Sequence, residues 1–356
     1  MTATAAGDDF ARALLAWYDQ HGRKDLPWQH PREPYRVWLS EVMLQQTQVR
    51  TVIAYFERFI AALPHLRDLA DAPLDRVLGL WSGLGYYSRA RNLHRAARIC
   101  MREYEGELPR TPDALAALPG IGRSTAAAIL AQAHGERHAI LDGNVRRVLA
   151  RWHGVHGWTG TTANLRLLWE YADAHTPRTR VADYTQAIMD LGATLCTRSR
   201  PQCARCPVAS GCVARRDGLV ALLPEPKPKR ALPTRATTML IARDDEGRVL
   251  LARRPPTGVW AELWSLPETG DDADAAAELA RRYHVKAGTP LRLGAFVHTF
   301  SHYHLQVQPL LFDGAVANGH VADGDDYAWY APGELAALGL PAPVRKLLTI
   351  LDGDIR

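Results

Sequence analysis

From residue 10 to about residue 212 the apolar positions recur at helical spacing; beyond a proline-rich break they gather into short strand-like runs. Phe10, Leu14, Trp17 and Tyr18 fall on one helix face, and Gly22 suits the end of that helix. Pro34 fits the first turn of a second helix, which the pattern carries through Trp38-Leu39-Ser40-Glu41-Val42-Met43-Leu44-Gln45-Gln46. Punctuation follows at Pro64, Pro73, Gly83-Leu84-Gly85, Pro109 and Pro119-Gly120. The alternating prolines and lysines of 222–230 cannot build a core and predict an extended, semi-rigid linker. Past it, 238–242 and 249–252 flank Asp244-Asp245-Glu246-Gly247, a hairpin signal in a period-two pattern. Strand-like pieces at 291–298, 304–312 and 327–330, with helical stretches at 274–283 and 344–351, complete an α+β module. The expected architecture is multi-domain without internal repeats: an all-α region over 1–221, a Pro/Lys-rich linker over 222–236 and an α+β domain over 237–356.

A chain of 356 residues is long enough for two cored domains, and no stretch has the length and apolarity of a membrane span. The net charge of +5 is modest but uneven. Between Cys196 and Arg235, nine basic residues (Arg198, Arg200, Arg205, Arg215, Arg216, Lys227, Lys229, Arg230, Arg235) face only Asp217 and Glu225, so that segment is +7 and the remainder −2. A second run, Arg89, Arg91, Arg95, Arg98 and Arg102, contains no acid. Such runs serve equally as solvated faces and as salt-sensitive footprints for a polyanion.

Four of the five cysteines fall in one segment, Cys196-x6-Cys203-x2-Cys206-x5-Cys212, and Cys100 stands apart. Intervals this tight let one irregular loop supply the four thiolates of a [4Fe–4S] cluster. Zinc sites favour paired Cys-x2-Cys knuckles, and only Cys203 and Cys206 have that spacing. Disulfides are the third reading; residues 1–10, with neither a basic start nor an apolar stretch, do not read as the secretory leader that would encourage it. The spacing favours the cluster.

Three further segments carry candidate chemistry. Leu118-Pro119-Gly120-Ile121-Gly122-Arg123-Ser124-Thr125-Ala126 is a glycine-rich turn opening a helix, with another helix expected before it at 113–118. That is the pattern of a helix-hairpin-helix offering backbone amides to a phosphate, against the alternative of an ordinary helix–helix turn. Asp142, after Ala139-Ile140-Leu141 and before a helix, reads on its own more plainly as a structural N-cap than as a reactive group. Glu41 shares nearly one helix face with Trp38, Gln45 and Gln48. A carboxylate there is either a structural ion pair or a group whose burial lets it hold a proton near neutral pH.

Leu39-Ser40-Glu41-Val42-Met43-Leu44-Gln45-Gln46-Thr47-Gln48-Val49, Gly83-Leu84-Gly85-Tyr86-Tyr87-Ser88-Arg89, the hairpin, 141–145 and the cysteine loop occur in the order found in MutY-type adenine DNA glycosylases, and the chain resembles that family over 25–212. The broader superfamily includes endonuclease III, whose hallmark hairpin lysine forms a Schiff base with the sugar. Ser124 stands at that position and cannot form an imine. The resemblance implies that Glu41 protonates the adenine ring, that Asp142 stabilises or captures the oxocarbenium-like sugar, and that Asn144 holds the sugar or its water, two-carboxylate chemistry on a flipped nucleoside. It implies that Gln186 reads the adenine edge with a bidentate amide, that Trp28 and Leu44 wall the pocket beside Ser124, and that Gln46 and Tyr86 wedge into the duplex. It further implies that Gly120, Gly122 and Arg146 bind the DNA backbone. Cys196, Cys203, Cys206 and Cys212 would hold a [4Fe–4S] cluster that shapes the loop of Arg198, Arg200 and Arg205 onto phosphates.

The later domain resembles a Nudix fold through Arg253-Arg254-Pro255-Pro256-Thr257-Gly258-Val259-Trp260 and Leu266-Pro267-Glu268, with Ala261-Glu262 a local departure. The acidic metal-binding helix of that fold is replaced by Ala275-Ala276-Ala277-Glu278-Leu279-Ala280-Arg281-Arg282, whose single carboxylate cannot hold the magnesium that hydrolysis needs. His298, His302 and His304 on a strand-like run, without acid or thiol, make a poor metal site. By resemblance, Phe300, Ser301 and His302 form a loop that senses 8-oxoguanine. The whole implies a monomeric, monofunctional glycosylase of the bacterial cytoplasm and nucleoid, independent of membranes, acting on duplex DNA with adenine opposite 8-oxoguanine or guanine. An endonuclease III-like lyase and a non-catalytic mispair sensor are the alternatives; Ser124 opposes the first, and Glu41 together with Asp142 opposes the second.

Overall fold

The computed structural model describes residues 3–228, 231–270, 274–317 and 326–353; Lys229 and Arg230 of the expected linker lie outside them. The chain divides into two compact units, residues 1–71 with 92–229 and residues 72–91 with 230–356.

The first unit is helical. Helix Ala3–His21 turns Phe10, Leu14 and Tyr18 inward, as their spacing predicts, onto Val145, Leu149, Leu168 and Ile188. Each large side chain buried in this way contributes about 1.5–3 kcal/mol. Helix Pro34–Leu44 buries Val37, Trp38, Leu39 and Met43 and packs against Val49–Ala62 and Arg123–His134. It ends at Leu44, two residues earlier than the pattern suggests, because Gln46 adopts a left-handed φ of +59°. Gln45 and Gln48 therefore share no helix face with Glu41.

The glycine-rich segment forms the expected pair of helices, Pro112–Ala117 and Arg123–His134, with Leu118 and Ile121 buried beneath the turn. Gly120 holds φ +79°, and a Cβ there would lie 2.8 Å from Asn92 Cβ, so no larger residue fits. The start of the linker is not free. Leu223 is buried, its carbonyl accepts from Arg151 Nε at 2.7 Å, and Glu225 Oε1 accepts from the Gly157 amide at 2.7 Å. An apolar and an acidic side chain set among the prolines tie 222–228 to the helical unit.

The second unit is built on a mixed sheet. Strand Thr234–Arg243 lies parallel to His304–Asp313, with Thr234 opposite His304 and Arg243 opposite Asp313. On its other side it meets Val249–Arg253 antiparallel, which in turn pairs with Tyr327–Tyr330. The parallel pairing needs a crossover, and helix Ala275–Tyr283 lies within it. Met239 and Ile241 face a core closed by helix Ala342–Gly353, whereas Leu240 and Ala242 face one closed by Ala275–Tyr283. Both faces are covered, so this strand reads as a continuous apolar run instead of a half-buried alternation. The hairpin at 244–247 forms as expected: Asp244 Oδ1 accepts from the amides of Glu246 and Arg248, at 3.1 and 2.8 Å. The single strand expected over 291–298 is two short ones, Leu291–Arg292 and Phe296–Thr299, and Gln308 Nε2 donates to the Leu293 carbonyl between them. No helix among the described residues is long and apolar enough to cross a membrane.

Candidate active site

Glu41 lies one turn from the end of helix Pro34–Leu44, and its Oε1 accepts from Gln132 Nε2 at 3.0 Å. Gln132 is buried in Arg123–His134, so the second hairpin helix presents this amide. Burial first, and the nearby Asp142 charge second, raise the Glu41 carboxyl to about 7 against the hydrogen bond from Gln132. Among the described residues Glu41 has no basic ion-pair partner, so the structural ion pair is set aside.

Asp142 is the N-cap of helix Gly143–His153: its Oδ1 accepts from the Val145 amide at 2.7 Å, and Asn144 Nδ2 lies 3.4 Å from Oδ2. Burial raises its pKa, while the Val145 and Asn144 amides and the Arg147 and Arg146 charges lower it. Burial outweighs those groups, so Asp142 is raised overall, as Glu41 is. The N-cap and the charged partner of Glu41 are thus one residue. Ser124 Oγ accepts from the Leu141 amide at 3.0 Å, pinning the backbone beside Asp142.

Asn144 Oδ1 accepts from Arg147 Nη2 at 2.8 Å, and the same guanidinium donates to the carbonyls of Gly192 and Cys196, each at 2.7 Å. Those carbonyls belong to a π turn, Leu191–Leu195, and the residue after it, where the backbone passes so close that a Cβ on Gly192 would lie 2.6 Å from Asn144 Cβ. Arg151, buried beside it, donates to the carbonyls of Thr197 and Arg198 and lies 3.4 Å from Cys196 Sγ. Sequence reasoning missed Gln132, Arg147 and Arg151. Gln132 alone left a signal, an amide within an apolar helix.

Cys196, Cys203, Cys206 and Cys212 all line one cavity, with Arg151 and Arg215 at its wall. All four are free thiols, yet no three His, Cys, Asp or Glu side chains among the described residues converge on a single-ion position. Four cysteines lining a single cavity are a donor set that fits a [4Fe–4S] cluster. Burial pushes the Cys206 thiol up to about 11, with the other cysteines adding to it, so four thiolates there need a cationic centre.

The other sequence candidates are placed as follows. Gln186 is buried, and its Nε2 donates to Asp190 Oδ1 at 2.8 Å, an oxygen that Arg23 also binds. That bond uses one of the two N–H donors of the amide, so the second N–H and the oxygen are left for a ligand. Trp28 is buried edge-on to Phe56, and Leu44 is half-buried at its helix end. Gly122 caps helix Arg123–His134; Arg146 Nε is buried without a hydrogen-bond partner among the described residues. Gln46 is exposed at its positive φ, and Tyr86, in the second unit, is 53% exposed at φ +49°. Such backbone strain gathers at functional positions.

The basic runs divide. Arg198, Arg200, Arg205, Arg215 and Arg216 are exposed around the cysteine loop, and Arg95 and Arg98 are exposed on their helix. Arg89 is buried against the Leu84 and Gly85 carbonyls, and Arg91 donates to the Ala261 carbonyl, so neither is an open phosphate contact.

In the second unit, the turn Phe300–Ser301–His302–Tyr303 is closed by the Phe300 amide donating to the Tyr303 carbonyl at 2.9 Å. Ser301 and His302 are exposed, and Phe300 is flanked by Trp260, His298 and Tyr303 with ring centroids 4.6–5.1 Å away. The result is a small aromatic surface with a hydroxyl at its tip. Glu278, the one acid of helix Ala275–Tyr283, is paired with Arg281 at 2.6 Å.

Residues 39–173 match the HhH-GPD superfamily base excision DNA repair proteins, and residues 237–349 match the NUDIX domain. An adenine DNA glycosylase of Buchnera aphidicola subsp. Acyrthosiphon pisum (strain APS) is 36% identical over 339 residues, 95% of this chain and 96% of that protein. The Homo sapiens adenine DNA glycosylase is 35% identical over 408 residues, 97% of this chain and 74% of that one. A thermostable thymine-DNA glycosylase superposes with TM-score 0.56 at 27% identity, covering 61% of this chain and 100% of its own. An endonuclease III bound non-covalently to DNA shares the helical fold at 21% identity and TM-score 0.52, over 62% of this chain and 99% of its own. At this identity over most of its length, the chain belongs to the adenine DNA glycosylase family.

Proposed function

We propose that this chain excises undamaged adenine from pairs with 8-oxoguanine, and with guanine, by hydrolysing the N-glycosidic bond without cutting the strand. One observation carries the reading: a carboxyl raised to about 7, Glu41, beside a second carboxyl, Asp142, whose Oδ1 accepts from the Val145 amide. Glu41 gives its proton to a ring nitrogen of the flipped adenine, and the C1′–N9 bond breaks with its electrons leaving on the neutral base. Asp142 faces the positive charge that develops on the sugar. Water then adds to C1′ and loses a proton, leaving an abasic site. Asn144, fixed by Arg147, orients the sugar or that water. Gln186 reads the adenine edge through its oxygen and its remaining N–H, the bidentate pairing the resemblance implies. Ser124 forms no imine and holds the Leu141 backbone, which supports a monofunctional enzyme. The setting is a monomer working on duplex DNA in the bacterial cytoplasm.

Cys196, Cys203, Cys206 and Cys212 hold a [4Fe–4S] cluster, which when bound supplies a cationic core that fixes the loop. Arg198, Arg200 and Arg205 on that loop meet phosphates, together with Gly120, Gly122 and Arg146. About four irons and four sulfides per purified chain are expected, with both lost and the melting temperature lowered in C206S. One zinc per chain would overturn this assignment.

The turn at 300–302 reads the opposing base. Oxidation gives guanine an N7 hydrogen and a C8 carbonyl, and a serine hydroxyl can accept from one or donate to the other. Ser301 is exposed, so S301A leaves folding intact. It is expected to reduce the preference for 8-oxoguanine over guanine by about twofold to tenfold, the worth of one hydrogen bond. Single-turnover excision on the two mispairs measures this, and equal loss on both would contradict it.

A further inference from the structure

Residues 72–91 lie within the helical region in sequence but fold with the second unit, and they carry Tyr86. Tyr86 holds φ +49° between Gly83 at +97° and Gly85 at +75°. A left-handed tyrosine persists only where its surroundings over-determine it. From within the loop, Trp81 Nε1 and Arg89 Nη2 donate to the Gly85 carbonyl at 3.1 and 3.2 Å, and the Arg89 guanidinium lies 5.6 Å from the Tyr86 ring centroid.

The outer anchors come from the far end of the chain. Arg345, on helix Ala342–Gly353, donates through Nη2 to Ser82 Oγ at 2.7 Å and to the Leu338 carbonyl at 2.9 Å. Tyr87 donates its hydroxyl to the Leu340 carbonyl at 3.0 Å, and that hydroxyl lies 3.4 Å from Ser82 Oγ. Both ends of the loop 82–87 are thus clasped by the segment 338–345. Below the loop, helix Leu74–Trp81 packs on the turn Pro332–Ala337 so closely that a Cβ on Gly79 would lie 2.4 Å from the Ala337 carbonyl oxygen. Arg253, on a sheet strand, pairs with Asp75 of the same helix at 2.5 Å.

We propose that Arg345 is a positioning residue for Tyr86. By holding Ser82 while Leu340 holds Tyr87, it keeps the loop in the conformation from which Tyr86 enters the duplex. Insertion of the wedge then depends on the same fold that carries Ser301. The proposal rests on the reading of Tyr86 as a wedge, and its test separates the two.

The full chain is mixed in a stopped-flow instrument with a duplex carrying 2-aminopurine in place of the adenine opposite 8-oxoguanine, whose fluorescence rises as the base leaves the stack. Y86A is expected to suppress the early rise. R345Q and S82A should each slow it by about threefold to tenfold, as the loss of one or two hydrogen bonds does. The double variant should be slowed by less than the product of the two single effects, because both remove the Arg345–Ser82 contact. R345K, which keeps a charged donor on a long side chain, should recover part of the rate. In the Y86A background, R345Q should add nothing. A normal rise in Y86A would remove the wedge reading and the proposal with it. Suppression by Y86A with normal rates in R345Q and S82A would leave the wedge standing and overturn the positioning role. A further equal loss on adding R345Q to Y86A would place the action of Arg345 elsewhere and overturn it too.

Discussion

Replacing Glu41 with Gln is expected to slow adenine excision by about 10²–10⁴-fold, the span that a positioned general acid supplies. Duplex affinity should stay near that of the parent, because the amide keeps an oxygen for Gln132 Nε2. The same change should stabilise the protein at alkaline pH. The Glu41 carboxyl is raised from 4.5 to about 7, so the folded state binds its proton more tightly than the unfolded chain does. Below 4.5 both states are protonated and the group adds no pH dependence; between 4.5 and about 7 stability falls as pH rises, and above 7 the full penalty remains. At about 1.4 kcal/mol per pKa unit the penalty reaches at most about 3.5 kcal/mol. E41Q should therefore melt higher than the parent at pH 8 and alike at pH 4. The parent's kcat/KM should fall as pH rises through about 7, where Glu41 loses its proton. A catalytically dead variant with no gain at pH 8 would mean that Glu41 is not the raised group.

Replacing Asp142 with Asn separates its two roles. Asparagine caps a helix as well as aspartate does, so the Val145 amide keeps its acceptor and the melting temperature should change little. The negative charge facing the sugar is lost, and excision should fall by about 10²–10³-fold or more. Single-turnover rates and thermal melts on the same preparation decide the matter. Unfolding without a specific loss of rate would reduce Asp142 to the N-cap it is by geometry.

How much of this was legible in the chain follows from the range of the interactions. The N-cap aspartate and the hairpin glycines act through neighbours a few residues away, and the cysteines through one short loop, so their spacing betrays them. Glu41 was legible as a carboxylate on an apolar helix, but not its environment, because Gln132 reaches it from 91 residues away. Arg147 and Arg151 looked like ordinary charges on a helix; only the fold brings the 192–198 carbonyls to them. Arg89 and Arg91 misled for the same reason, a basic run whose first members are consumed by carbonyl groups. Helical periodicity also says nothing about which partner a helix packs on, so the alliance of 72–91 with the second unit left no trace in the pattern. The left-handed backbone at Gln46, a polar residue with no glycine beside it, shortened a helix that its neighbours would have continued.

The most direct test uses an end-labelled duplex with one adenine opposite 8-oxoguanine, incubated with the full-length protein and divided before one half is heated in alkali. Cleavage of the adenine strand only after alkali is the predicted result, because hydrolysis by Glu41 and Asp142 leaves an intact strand with an abasic site. Cleavage without alkali, or none in either half despite binding, would contradict it.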